Sequence, residues 1–268
     1  HFARIWDETA ALPDAQRVTA FKSAFAAILP GFYDHARFPT QTQAQYDERL
    51  LKRLKQYPDQ REDIARVSRE FRAMVEPAQA SFEAQFGPMT GFPPVYLVNS
   101  LREFDGGTRD LKEGNRLLFG ADVIAKIHKP GTTQPFVHHE LFHLYHRRHV
   151  KEECEPIWCG LWAEGLATYV AVKLNPGATD EQLLLTFPEP LRAAVEKNRP
   201  AAICAVRERL DSTRPEDYGA LFSSGRLSAD LPPRFGYYVG LLVAEDLGKT
   251  RSLDELARLQ LTELRALI

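Results

Sequence analysis

The hydrophobic pattern runs from helical to strand-like and back to helical. Residues 15–28, 43–56 and 60–85 place apolar side chains every three or four positions, with Ile64, Val67, Phe71, Val75 and Phe82 marking one face of the last segment. Pro30-Gly31, Pro39 and Pro58 punctuate these helices. The character changes at Gly87-Pro88. Val95-Tyr96-Leu97-Val98 reads as a short strand after Pro93-Pro94, and Asp105-Gly106-Gly107 as a turn. Residues 117–127 read as one or two further strands with a bend at Gly120. Lys129-Pro130-Gly131 closes that region. A helix starts near Thr133 or Pro135, with Thr132 or Thr133 as its cap. Helices are expected again at 159–173, 180–209, 215–222, 234–247 and 253–267.

That order predicts an α+β fold, mostly helical, with a small mixed sheet packed beside the helix that follows it and a helical C-terminal part. The whole of 1–268 is expected to form one catalytic unit, with a helical part over 1–90, a sheet with its adjoining helices over 91–175, and a helical part over 176–268. No internal repeat or low-complexity tract interrupts it.

Composition narrows the classes. The chain has 268 residues, 44% hydrophobic and 26% charged, as in ordinary globular proteins. A formal net charge of -2 gives no electrostatic case for nucleic acid. No apolar run approaches the roughly 20 residues of a membrane span. The first residue is His1 rather than Met, which implies that a preceding segment was removed, with any signal peptide it held. None of Cys154, Cys159 and Cys204 makes a CxxC pair. Cys154 and Cys159 are close enough in sequence to close a small disulfide loop or to stay as thiols. The reading leans to a periplasmic or secreted location.

The helix expected after Thr133 carries the chemistry. His139-Glu140-Leu141-Phe142-His143 is an HExxH motif. Residues four apart share a helical face, so His139 and His143 can point imidazole nitrogens at one ion. Glu140, about 100° around the axis, stands beside that ion, where a carboxylate can take a proton from a metal-activated water.

A catalytic site of this kind needs a third protein ligand and an open fourth position. Three residues compete. His146 shares the face but lies about 10 Å along a straight helix from His139; it reads as a second-shell or exposed histidine. His149 has the spacing of HExxHxxGxxH, but His146 stands where that pattern needs glycine, and the only methionines, Met74 and Met89, lie upstream. Glu164 is a lone carboxylate in the apolar segment Leu161–Val172. A buried acid there is costly unless paired or bound to metal.

At Glu164-Gly165-Leu166-Ala167 the chain resembles a family. HExxH followed by EGxA looks like the gluzincins, the zinc peptidases that include thermolysin and the aminopeptidase N group. The likeness covers about residues 115–175. Trp162-Ala163-Glu164-Gly165-Leu166-Ala167 and Gly236-Tyr237-Tyr238-Val239-Gly240 are similar to a bacterial family of predicted zinc-dependent proteases. The resemblance implies a Zn2+ cofactor held by His139, His143 and Glu164, with Glu140 as general base and a peptide or protein as substrate. One departure is Thr168, where thermolysin-like sites carry an acid.

The resemblance also implies an edge strand before the HExxH helix, for which residues 117–127 are placed, and a donor to the reaction's oxyanion. For the donor it points to Tyr237, with Tyr238 and Arg234 behind it; plain packing tyrosines are the other reading. His138, Arg147, Arg148 and Lys151 join His146 and His149 in a basic run that reads as a solvated helix end. The rival function is a zinc-binding protein that is not a peptidase, either a hydrolase of another amide or a binding module.

Overall fold

A computed structural model describes residues 1–150 and 154–268. The fold is α+β, mostly helical with one small mixed sheet. Its contacts divide it into two compact units: His1–Ala73 with Gly91–Lys129, and Met74–Thr90 with Pro130–Ile268. This partition differs from the expected parts 1–90, 91–175 and 176–268. Its first cut falls inside a continuous helix, at Ala73. Pro77 lies inside that helix and has no N–H to offer the Ala73 carbonyl, so the hydrogen-bond ladder is interrupted there.

Unit 1 contains α1 (Phe2–Thr9), α2 (Asp14–Ala26), α3 (Gln43–Gln56) and the first part of α4 (Arg61–Phe86). It also contains β1 (Val95–Val98), β2 (Gly106–Leu111), β3 (Gly114–Gly120) and α5 (Ala121–Ile127). Thr42 and Gln45 start α3 with a reciprocal capping box, which satisfies two otherwise orphan backbone donors. The core gathers Ile5, Phe21, Phe25, Phe32, Leu50 and Leu118.

The sheet order is β1-β3-β2, with β1 parallel and β2 antiparallel to β3. β3 is therefore central and paired on both sides. This corrects the expected edge strand at 117–127. The second half of that run is also not a strand. A Cβ on Gly120 would overlap the Phe104 carbonyl oxygen, so the chain passes this point only as glycine and then turns into α5. Ala121 and Ile124 are buried at helical spacing, and Asp122 sits in the first turn. The sheet belongs to unit 1, whereas the HExxH helix belongs to unit 2.

Unit 2 holds the end of α4, then α6 (Gln134–His149), α7 (Ile157–Leu174), α8 (Leu191–Lys197) and α9 (Arg199–Arg207). It continues with α10 (Pro215–Phe222), α11 (Phe235–Leu247), α12 (Leu253–Ala257) and α13 (Leu261–Leu267). Thr133 is the N-cap of α6, and its carbonyl accepts from Val137. The helix expected over 180–209 is shorter and split. Residues 180–190 form turns, with Pro188 and Pro190 lacking donors, and Pro200 opens α9. The segment 253–267 is likewise two helices. No helix among the described residues is long and apolar enough to cross a membrane.

α7 packs against both α6 and α11 and is buried nearly all round, as its apolar sequence requires. Trp162, Leu166, Phe142, Phe235 and Leu241 are almost fully buried. The contact between α7 and α11 is close because both helices bring glycine to it. A Cβ on Gly165 would overlap the Gly240 backbone, and a Cβ on Gly240 would overlap the Leu161 carbonyl oxygen.

Candidate metal centre

α6 and α7 bring three expected ligands together. His139 Nε2 and His143 Nε2 are 3.0 Å apart. Glu164 Oε2 lies 3.2 Å from His139 Nε2 and 3.4 Å from His143 Nε2. A tetrahedral ion with bonds of about 2.1 Å has ligand atoms separated by about 3.4 Å. The three donors thus form a triangle of the size such an ion requires, and the group could hold a metal ion. Their side chains are 15–18% exposed, so the cluster is shielded but not sealed.

The charges support the geometry. Burial alone would raise the Glu164 carboxyl, but the charge of His143 and hydrogen bonds from both histidines hold it well below the usual carboxylate range. Burial alone would lower the His143 imidazole; Glu164, with a smaller contribution from Glu140, keeps it above its ordinary value. An ionised carboxylate among imidazoles is a donor set ready for a cation. Glu140 is buried on the same helix, between the two histidines. Thr168, where thermolysin-like sites carry an acid, donates its hydroxyl to the Glu164 carbonyl and stays within α7.

The two tyrosines separate. Tyr238 is buried; its hydroxyl donates to Glu196 Oε1 at 2.7 Å and accepts from Arg192 at 3.2 Å. It is a packing residue held by α8. Tyr237 faces the cluster, its ring centroid 6.3 Å from that of His139. Burial, then the Glu164 charge, pushes its phenol well above the usual value, so it keeps its proton as a donor. Arg234, in the left-handed conformation at the N-cap of α11, lies 4.5 Å over the Tyr237 ring.

The other histidines do other work. His138 is fully buried: Nε2 meets Ser81 Oγ at 2.8 Å and the Ala78 carbonyl at 3.0 Å, and Nδ1 meets Asn175 at 2.7 Å. His146 is buried and stacks on Phe142, with its centroid at 5.5 Å. His149 packs on Tyr145 and faces Arg258. The expected solvated basic run is therefore not one surface. Among its described residues only Arg147 and Arg148 are exposed, and Arg148 bonds the Thr90 carbonyl. Lys151 lies outside the described residues. Neither His146 nor His149 joins the metal-ligand group. Cys154 and Cys159 form a disulfide with Cα atoms 5.8 Å apart, and Cys204 is a free, exposed thiol.

Tyr218 on α10 escaped the sequence reading. The residue is 44% exposed, yet partial burial and then the Glu164 charge push its phenol up to about 12. Phe222 links it to Tyr237, with centroid separations of 5.1 and 5.9 Å. No local motif marks Tyr218, because only the helix packing brings α10 to this side of α7. Comparisons with profiles of known families, with curated proteins and with solved structures gave no match.

Proposed function

We propose that this protein is a zinc metallopeptidase of gluzincin type. The convergence of His139 Nε2, His143 Nε2 and Glu164 Oε2 on one tetrahedron-sized triangle carries the reading. Two imidazoles and a carboxylate also suit iron(II); the carboxylate of Glu140 inside the motif is what favours hydrolytic zinc. When bound, zinc supplies Lewis acidity toward a carbonyl oxygen and toward water. Glu140 takes the proton from the attacking water and passes it to the leaving amine. Tyr237 donates its hydroxyl to the oxyanion that forms as the carbonyl carbon becomes tetrahedral. Arg234 lies over that phenol and keeps it oriented.

A second reading is a zinc protein that hydrolyses a non-peptide amide, since the ligand triangle and Glu140 would act on any amide carbonyl.

Metal analysis after dialysis should return zinc for the wild type and little for Glu164→Ala. Glu140→Gln should keep the zinc and lose hydrolysis of a peptide library. Iron in place of zinc, or activity retained by Glu140→Gln, would overturn the assignment. Activity toward small amides with none toward peptides would select the second reading.

A further inference from the structure

Unit 1 has a cavity of its own, about 90 Å³ in volume, with polar and apolar walls. Four arginines line it, Arg37, Arg49, Arg53 and Arg102, against a single acid, Glu103. That acid is already engaged, by Arg37 Nη2 at 2.5 Å and by Arg109 Nε at 3.4 Å. Among the described residues, Arg49, Arg53 and Arg102 have no carboxylate partner. Arg49 lies 3.9 Å over the Phe38 ring. Arg53 makes its side-chain hydrogen bond to Gln56. Burial, then the charges of Arg102 and Arg49, lower its guanidinium from the ordinary value against a smaller opposing pull from Asp122, so both neighbouring cations act on Arg53.

The backbone holds this arrangement at a cost. Leu101 and Arg102 are consecutive non-glycine residues at φ 57° and 67°. The buried Asp122 locks them there, accepting from Ser100 N and Arg102 N, both at 2.6 Å, while Asn99 Oδ1 accepts from Leu101 N. Strain of this kind persists only where surrounding bonds over-determine it, and it clusters at ligand sites. Here it sets Arg102 at the cavity beside the arginines of α3.

We propose that this cavity binds a compact oxyanion, a phosphate or carboxylate group, held by Arg49, Arg53 and Arg102. Planar guanidinium forks match both groups. The cavity has room for several waters' worth of ligand, which is enough for the anionic head, so the remainder of the molecule would extend into solvent. The proposal concerns unit 1 and does not rest on the metal centre.

Isothermal titration of the full chain with inorganic phosphate, and separately with succinate, tests it at constant ionic strength in chloride. At least one should bind saturably, and the stronger of the two identifies the head group. Arg53→Gln and Arg102→Gln should each weaken binding by about tenfold or more, while Arg116→Gln, a change on β3 at the partner of Glu113, should not. If Arg53→Gln does not fold, the exposed Arg102→Gln decides alone. Absence of saturable binding by either anion, or unaltered binding in a folded Arg102→Gln, would overturn the site.

Discussion

Gly165 on α7 and Gly240 on α11 touch backbone to backbone, and no side chain fits between them. Gly165 directly follows Glu164, and Gly240 lies one helical turn beyond Tyr237. The close crossing therefore sets how near the Tyr237 ring comes to His139 and the Glu164 carboxylate. Gly240→Ala should overpack the crossing, because a Cβ there meets the Gly165 Cα at 2.9 Å as well as the Leu161 carbonyl. Backbone cannot swing aside as a side chain can. A loss of about 1–3 kcal/mol is expected in chemical denaturation, together with weaker retention of metal on dialysis. Unchanged stability would show that the helices part more easily than this packing implies.

Tyr237→Phe and Tyr238→Phe should divide activity from stability. If Tyr237 supplies the oxyanion donor, its loss lowers kcat by about 10²–10³ while KM changes little. Tyr238→Phe removes a hydroxyl bonded to Glu196 and Arg192 and should cost about 1 kcal/mol of stability with kcat nearly intact. Steady-state kinetics and denaturation of both variants check the pair. A larger kcat effect from Tyr238 would reverse the roles.

How much of this was legible in the sequence depends on how local each feature is. His139, Glu140 and His143 sit within two turns of one helix, so their spacing alone gives the shared face. Glu164 was visible because one acid in an apolar helix demands a partner. The choice between Tyr237 and Tyr238 was not visible. It depends on the rotation of α11 about its axis, which the glycine crossing fixes with a segment far away in sequence. The same limit hid Tyr218. At 121–127 a short apolar run fits strand or helix equally, and only Asp122 binding back to Ser100 and Arg102 settles it as helix. In the sequence His146 reads as either a support to the ligands or an exposed residue, because Arg147 and Arg148 follow it. In the fold it turns inward onto Phe142, while Arg147 and Arg148 face out.

His138 directly precedes the motif, yet its bonds are structural. It ties the end of α4 to the C-terminal end of α7 through Ser81, the Ala78 carbonyl and Asn175. His138→Leu should leave buried polar groups unpaired and destabilise by about 1–3 kcal/mol. Zinc content of the folded fraction should match the wild type. Metal loss at full stability would instead make His138 part of the site.

His146 should make unit 2 sensitive to acid. Burial, then the charges of His143, His149 and Arg147, push its imidazole down to about 4 from an ordinary 6.5. Above pH 6.5 the ring is neutral whether folded or unfolded, and its contribution to stability is fully present. As the pH falls toward 4, the unfolded chain takes up a proton that the folded protein refuses, so stability is lost across that window. The full loss is on the order of 3 kcal/mol. His146→Phe keeps an aromatic ring against Phe142 and removes the titration. Denaturation of the chelator-treated protein at pH 7.5 and pH 4.5 should therefore show a smaller acid penalty in the variant than in the wild type. Equal penalties would mean that His146 becomes protonated in place without strain.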